Sequence, residues 1–288
     1  MPIFTTGEVV RETYEIERFL GEGAFAEVYR VRHRFLGRQA LKVFKRVGMS
    51  FADIREMLGE AMLLSKLGHP NIVRVFDANV LEIEGRSRGY LTMEHLGGGS
   101  LHAFWNSFGL RLVPIGVSLD IIKQVCRGLS VAHAGRPPVV HRDLKPQNIL
   151  IGYEQQELRV RVSDFGLARS VDPETLLTRS AGTPDFKPPE SRDGGGGDSC
   201  ASDTWAIAAM LYQLVTDRLP FAAAPVTSPA APAGPAAPLL PPSRINPDAS
   251  PALDVVLSTA LHADPTKRYG NAQELLAALE AADPKAGS

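Results

Sequence analysis

Between residues 14 and 46, apolar and polar positions alternate in short runs. Tyr14-Glu15-Ile16-Glu17-Arg18-Phe19-Leu20, Glu27-Val28-Tyr29-Arg30-Val31 and Gln39-Ala40-Leu41-Lys42-Val43-Phe44 are rich in β-branched and aromatic residues and separated by glycine-bearing turns, a pattern that predicts three strands. From Ser50 to Leu67 the period changes. Ile54, Leu58, Ala61, Leu64 and Leu67 recur at helical spacing, with Ser50 placed to cap the start. Two more strands fit Ile72 to Val80 and Gly89 to Glu94, after which Gly97-Gly98-Gly99 breaks the pattern and suits a hinge. Beyond it the period is mostly 3.6, with Leu119, Ile122, Val125, Leu129 and Ala132 marking one face of a helix. Further helices fit Asp203 to Thr216, Ala252 to His262 and Ala272 to Ala282, the last opened by Asn271 with Glu274 in a capping-box arrangement. The pattern predicts an α+β chain of two lobes, residues 1–96 mainly β and residues 97–288 mainly helical, with no internal repeat at solenoid periods.

Two stretches fall outside this periodicity. Gly194 to Gly197 reads as a flexible loop. Pro225 to Pro242 sets Pro229, Pro232, Pro235, Pro238 and Pro241 at a period of three, which matches polyproline II and excludes a helix. A surface spacer is the plain reading, and a docking strip for a proline-recognising partner at 225–242 the sharper one.

Composition narrows the partners. The 288 residues carry 31 Lys+Arg against 32 Asp+Glu, a formal net charge of -1, and 44% are hydrophobic. That is a globular composition, without the basic surplus or local basic run expected of a nucleic-acid binder. The longest apolar-rich stretch, Trp205 to Val215, is too short to span a bilayer, and residues 1–8 lack the basic-then-apolar pattern of an export signal. Cytoplasmic work is the expectation. Cys126 and Cys200 are too few for a disulfide framework; they read as helix core and incidental, respectively.

Gly21-Glu22-Gly23-Ala24-Phe25-Ala26-Glu27-Val28 is a glycine-rich loop that leads from strand to strand, so a hairpin could turn backbone N–H groups toward phosphates. Ala26 stands where a third glycine would be expected, and its Cβ disfavours positive φ. Lys42 interrupts an apolar strand. Either that strand is an edge with its amine in water, or the lysine reaches phosphates while paired to a helix carboxylate, Glu60 first and Glu56 as the fallback. The strongest signal is His141-Arg142-Asp143-Leu144-Lys145-Pro146-Gln147-Asn148 followed by Ser163-Asp164-Phe165-Gly166. In phosphoryl transfer a carboxylate takes the hydroxyl proton and oxygen ligands hold the bridging cation, roles that suit Asp143 and the pair Asn148 and Asp164. Lys145 adds positive charge where negative charge develops.

On these motifs, taken in order, the chain resembles a eukaryotic-like Ser/Thr protein kinase over roughly residues 14 to 283. Its Ala, Pro and Gly richness suggests a bacterial source. The resemblance implies a bilobal protein-kinase fold, a small β lobe carrying one helix above a larger helical lobe, and transfer of the γ-phosphoryl group of ATP to protein Ser/Thr hydroxyls with Mg2+, or Mn2+ in its place. It implies that Glu60 pairs with Lys42, that Gly21 and Gly23 cover the nucleotide, and that Met93 is the gatekeeper. By the same resemblance the Glu94 carbonyl and Leu96 backbone meet adenine, Ser100 lies near the ribose, and Val28, Ala40 and Leu150 sandwich the ring. Leu64, Val75, His141 and Phe165 look like the family's regulatory spine, and Asp203 like the anchor of the catalytic loop.

Gly182 to Glu190 looks like the end of an activation segment, with Pro188 where the family usually has alanine. Thr183 would bridge Asp143 and Lys145, Glu190 would pair with Arg268, and Arg142 would hold a phosphate on the segment, where Thr175, Thr178 and Ser180 are the candidates. The proline strip replaces one of the family's large-lobe helices. Two other classes compete with an active protein kinase: a nucleotide-binding pseudokinase or scaffold, and a small-molecule phosphotransferase. The complete set Lys42, Glu60, Asp143, Asn148 and Asp164 speaks against the first, and Thr183, Glu190 and Arg268 against the second.

Overall fold

The computed structural model describes residues 2–23, 25–66, 68–165, 184–192, 198–221 and 238–283; the side chains at 57, 60, 61, 63, 64 and 66 also lie outside the described set. The chain divides into two compact units, Met1–Gly97 and Gly98–Ser288. The first holds strands β1 (Val9–Val10), β2 (Tyr14–Glu22), β3 (Ala26–His33), β4 (Gly37–Val47), β5 (Val75–Ile83) and β6 (Arg86–Glu94), with helix α1 (Phe51–Lys66) between β4 and β5. They form one antiparallel sheet in the order β1-β2-β3-β4-β6-β5.

Alternation along these strands assigns the faces. Tyr29, Val31, Leu41 and Val43 enter a core with Phe4, Val10, Tyr14, Ile16, Leu81 and Tyr90. Because the side-chain period of a strand is two, Val28, Arg30, Ala40 and Lys42 occupy the opposite face. β4 is hydrogen-bonded on both sides, with Lys42 across from Val28 on β3 and Leu91 on β6. The edge-strand reading of Lys42 is thereby excluded. Ser50 and Asp53 open α1 reciprocally: the Ser50 Oγ accepts from Asp53 N–H at 3.2 Å, and Asp53 accepts from Ser50 N–H at 2.7 Å. Ile54 and Leu58 are fully buried, and Gly89 on β6 makes room for the former: a Cβ there would stand 2.7 Å from the Ile54 Cδ1.

The second unit holds α2 (Leu101–Asn106), α3 (Ile115–His133), a hairpin of β7 (Ile149–Glu154) and β8 (Glu157–Val162), α4 (Pro189–Arg192), α5 (Cys200–Thr216), α6 (Pro251–Ala260) and α7 (Ala272–Ala282). In α5 every residue from Ser202 to Thr216 except Gln213 is buried, as befits a helix apolar all round. It packs against α3, α6 and α7. The apolar run of the sequence is therefore a core helix, and no described helix is long and apolar enough to cross a membrane.

Three readings need correcting, and some elements were missed. The glycine triplet is not a free hinge throughout, since Gly98 N–H donates to the Ile151 carbonyl and Ile151 N–H to the Gly99 carbonyl. A Cβ at Gly98 would lie 2.8 Å from that Ile151 oxygen, so only glycine fits. The β7–β8 hairpin, β1 and the short α2 were not predicted, and the strand expected from Ile72 is β5, which begins at Val75. In the α7 cap, Glu274 reaches back to Gly270 N–H at 2.8 Å and the Asn271 amide at 2.7 Å, not to Asn271 N–H.

Candidate active site

The catalytic-loop motif is built around a buried carboxylate. Ser199 caps α5 by accepting from Ser202 N–H, and Ser202 returns the bond to Ser199 N–H, which sets Asp203 in the first turn where a helix favours negative charge. Asp203 accepts from His141 N–H at 2.7 Å, from Arg142 N–H at 3.2 Å and from the His133 Nε2 at 3.0 Å. The other ring nitrogen of His133 accepts from Ala272 N–H at 3.1 Å, which fixes its tautomer and ties the loop to α7. His133 escaped the sequence reading, although a histidine at the end of an apolar helix face was a signal. Asp203 does hold the backbone ahead of Asp143, as the resemblance implied.

His141 is fully buried and joins the loop to the segment after β8. Its Nε2 donates to the Ser163 carbonyl at 2.8 Å, its Nδ1 accepts from Asp143 N–H at 3.3 Å, and its ring lies 4.8 Å from that of Phe165. The Asn148 carbonyl accepts from both Ser163 N–H and Ser163 Oγ, each at 2.9 Å. Ser163, which carried no role in the sequence reading, is thus a clamp between the two motifs. Arg142 and Asp164 adopt left-handed backbone at φ 71 and 64, costly for residues with a Cβ and held here by the surrounding bonds.

Two side chains converge on Asp143. Lys145 Nζ donates to its Oδ2 at 2.7 Å, and the Asn148 amide nitrogen donates to its carbonyl at 2.7 Å and its Oδ2 at 3.1 Å. With its amide nitrogen turned to Asp143, Asn148 keeps Oδ1 as the atom that could ligate a cation. Together with the carboxylate of Asp164 that is a hard-oxygen donor set, suited to a divalent cation that also shares substrate phosphate oxygens. Asp143 and Lys145 are each more than a third exposed in their side chains.

In the first unit, β2 and β3 form a hairpin closed by a 2.8 Å bond from Gly23 N–H to the Ala26 carbonyl, with Gly21 across from Val28. The hairpin is tied to β4 by Lys45 N–H to the Phe25 carbonyl at 2.8 Å and by the ion pair of Lys45 with Glu22. Ala40 and Met93 are buried and face each other across β4 and β6. Glu94 binds Arg74 through both its N–H and its carboxylate, and Leu96 is half-buried in the segment that follows β6. Glu60 lies in α1 one turn beyond Glu56, which is exposed; the Glu60 and Leu64 side chains lie outside the described residues. In the second unit, Ser100 bridges Leu150 and caps α2 through Ala103 N–H.

Beyond the reacting groups, Glu190 on α4 and Arg268 form a two-pronged ion pair at 2.7 and 2.8 Å. Arg268 also donates to the His262 and Ala263 carbonyls and lies 4.6 Å over the Trp205 ring. Burial pulls the Glu190 carboxyl upward, but its bonds to Arg268 outweigh that and hold it below the ordinary range. Arg142 stands 3.7 Å from Asp198, whose carboxyl burial pushes up. Burial likewise pushes up the thiol of Cys126, a core residue of α3. Gly166, Thr175, Thr178, Ser180, Gly182, Thr183, residues 193–197 and the strip from 225 to 237 lie outside the described residues.

This arrangement has relatives. Residues 14–279 match the protein kinase domain family. The serine/threonine-protein kinase pkn3 of Myxococcus xanthus is 34% identical over 294 residues, spanning 96% of this chain and 51% of the relative. Serine/threonine-protein kinase ATG1c of Arabidopsis thaliana is 32% identical over 219 residues, 75% of this chain and 28% of the relative. The chain thus spans about half or less of the length of these curated relatives. Among solved structures, the Mycobacterium tuberculosis PknI kinase domain superposes with a TM-score of 0.68 at 26% identity, over 97% of this chain and 100% of that one. A clamped catalytic loop, an α+β fold of a β unit and a helical unit, and these matches together make the chain a member of the protein kinase domain family.

Proposed function

We propose that this chain is an ATP-dependent protein kinase that transfers the γ-phosphoryl group to serine and threonine hydroxyls of protein substrates. The observation that carries the reading is the seat of Asp143, whose carboxylate is held by Lys145 and Asn148 on a loop whose backbone is anchored by Asp203. A carboxylate so oriented accepts the proton of an incoming hydroxyl, and Lys145 offsets the negative charge that grows at the transferred group. Asn148 and Asp164 hold the divalent cation, Mg2+ in the first instance and Mn2+ in its place. The cation, when bound, supplies neutralisation of phosphate charge.

Lys42, paired with Glu60, orients the phosphates from the sheet face it shares with Val28 and Ala40. The hairpin carrying Gly21 and Gly23 covers them. Met93, the Glu94 and Leu96 backbones, Ser100 and Leu150 form the adenine and ribose subsites. Autophosphorylation at Thr175 and Thr178 raises activity by giving Arg142 a phosphate in place of Asp198. The strip at 225–242 takes a proline-recognising partner.

The decisive measurement is transfer of label from γ-labelled ATP to a generic protein acceptor by the wild type and by Asp143→Asn, with mass mapping of the enzyme. Loss of a general base costs about 10² to 10⁴ in rate. The expected result is that loss with nucleotide binding retained, and label on Thr175 and Thr178. Equal turnover of the two proteins would remove Asp143 from the mechanism. A wild type that binds nucleotide without transfer would make the chain a pseudokinase. Unmodified threonines in a fully active enzyme would end the regulatory part alone.

A further inference from the structure

The turn joining β3 to β4 presents two large apolar side chains to solvent. Phe35 is 81% exposed and Leu36 is 67% exposed. They are held out rather than left loose: the His33 Nδ1 accepts from Phe35 N–H at 3.0 Å and from Leu36 N–H at 3.1 Å, and Arg34 N–H donates to the Thr13 carbonyl at 2.9 Å. The His33 ring packs edge-on against Tyr14 at 5.2 Å, which joins the tip to the core of the first unit. The Arg34 guanidinium lies 5.5 Å over the Phe35 ring.

Cations surround this tip. Arg30, Arg32 and Arg38 all converge on the single carboxylate of Glu17, at 2.7, 2.9 and 3.1 Å. One acid cannot neutralise three guanidiniums, and the side chains of Arg32 and Arg38 remain about 60% exposed, with donors to spare. Glu15, across from Arg32, and Glu12, next to the Thr13 that holds Arg34, are further acids of this corner, and Arg18 across from Arg30 keeps the balance positive. His95 registers the resulting field: burial holds its imidazole below the ordinary value, and the charges of Arg30, Arg18 and Arg38 add to that. Arg30, Arg32, Arg34 and Arg38 fall within nine residues of sequence, a local basic cluster that the sequence reading passed over, and strand pairing adds Arg18 to it.

The shape of this corner selects among anionic partners. Both strands of the hairpin are hydrogen-bonded on both sides, β3 to β2 and β4 to β6, so no free edge invites a peptide strand. A protruding pair of side chains also offers far less than the roughly 1,000 Å² that a specific protein partner needs. An interface that is planar, anionic at its surface and apolar beneath demands neither groove nor edge.

We propose that the β3–β4 hairpin tip docks the first unit on an anionic lipid surface, with Phe35 and Leu36 entering the interface and Arg32, Arg34 and Arg38 meeting the headgroups. The contact is peripheral and reversible, since two side chains and a few cations bind weakly. It is independent of the kinase reading.

Co-sedimentation of the full chain with phosphatidylcholine vesicles, with and without about 30% phosphatidylglycerol, tests the docking. Binding is expected to the mixed vesicles alone and to weaken in high salt. Phe35→Ala with Leu36→Ala should reduce it about tenfold or more, because the apolar burial is lost. Arg34→Gln with Arg38→Gln should also reduce it, by about fivefold for each cation removed from the surface. Thermal unfolding and peptide phosphorylation of both variants should match the wild type. No sedimentation at millimolar lipid, or equal sedimentation of the double-alanine variant, would overturn the proposal. So would equally tight binding to soluble polyglutamate, which would make the corner a polyanion or acidic-protein site instead.

Discussion

Asp203 shows how much one side chain can organise. Its two oxygens take three N–H donors, two from the backbone ahead of Asp143 and one from His133. Asparagine has nearly the same shape but only one acceptor oxygen, so Asp203→Asn turns an NH2 group toward donors that need an acceptor. A buried donor left unpaired costs about 1 to 3 kcal/mol. The variant should lose that stability in urea unfolding, and its transfer rate should fall although it touches no reacting atom. Unchanged stability together with unchanged rate would show that the loop holds its form without this anchor. The motif residues His141, Asp143, Asn148 and Asp164 were legible in the sequence because the chemistry demands those side-chain types at that spacing. His133 and Ser163 were not, because their roles are contacts with residues 70 and 15 positions away.

At the scale of elements, hydrophobic period located the long helices and the first-lobe strands but missed the β7–β8 hairpin. Its strands alternate acceptably, yet its two-residue turn is Gln155-Gln156, at φ 51 and 70, where Asn-Gly would have announced it. The α4 contact with the Arg268 segment carries a prediction in pH. Because the folded-state carboxyl of Glu190 lies below its ordinary value of 4.5, the pair's contribution is fully present above that value and is lost as pH falls through the folded one. Arg268 is fully buried in its side chain, so removing its partner strands a charge, at a cost of about 3 kcal/mol. Urea unfolding should therefore show Glu190→Gln weaker than wild type by about that amount at pH 7, with the gap closing below pH 4.5. A gap constant down to pH 3 would assign the loss to packing rather than charge.

For the whole molecule, α5 is the frame on which the second unit is assembled. Trp205 stacks on Phe221 with ring centroids 5.6 Å apart, and the Tyr212 hydroxyl donates to the Leu240 carbonyl at 3.0 Å. Phe221 and Leu240, on either side of residues 222–237, are thus fastened to one helix two turns apart, about 10 Å by the helical rise. A linker of five or six residues in place of 222–237 should span them, leave ATP affinity within about twofold and alter only the choice of protein partner. Titration with a fluorescent nucleotide checks the first part, and a large loss of affinity would mean that the strip supports the nucleotide site. The sequence by itself determined the family and the α+β division and nominated the candidate reacting residues, since glycine hairpin, lysine, catalytic loop and Asp-Phe-Gly are local strings whose chemistry survives without coordinates. Only the tertiary structure decided that Lys42 stands in an internal strand, that Gly98 is strapped to β7, and that Glu17 and Arg18 join the arginines beside Phe35 and Leu36. Each of those depends on which strands pair and in what register, and pairing is a long-range outcome of burying one face of a sheet that no local window contains.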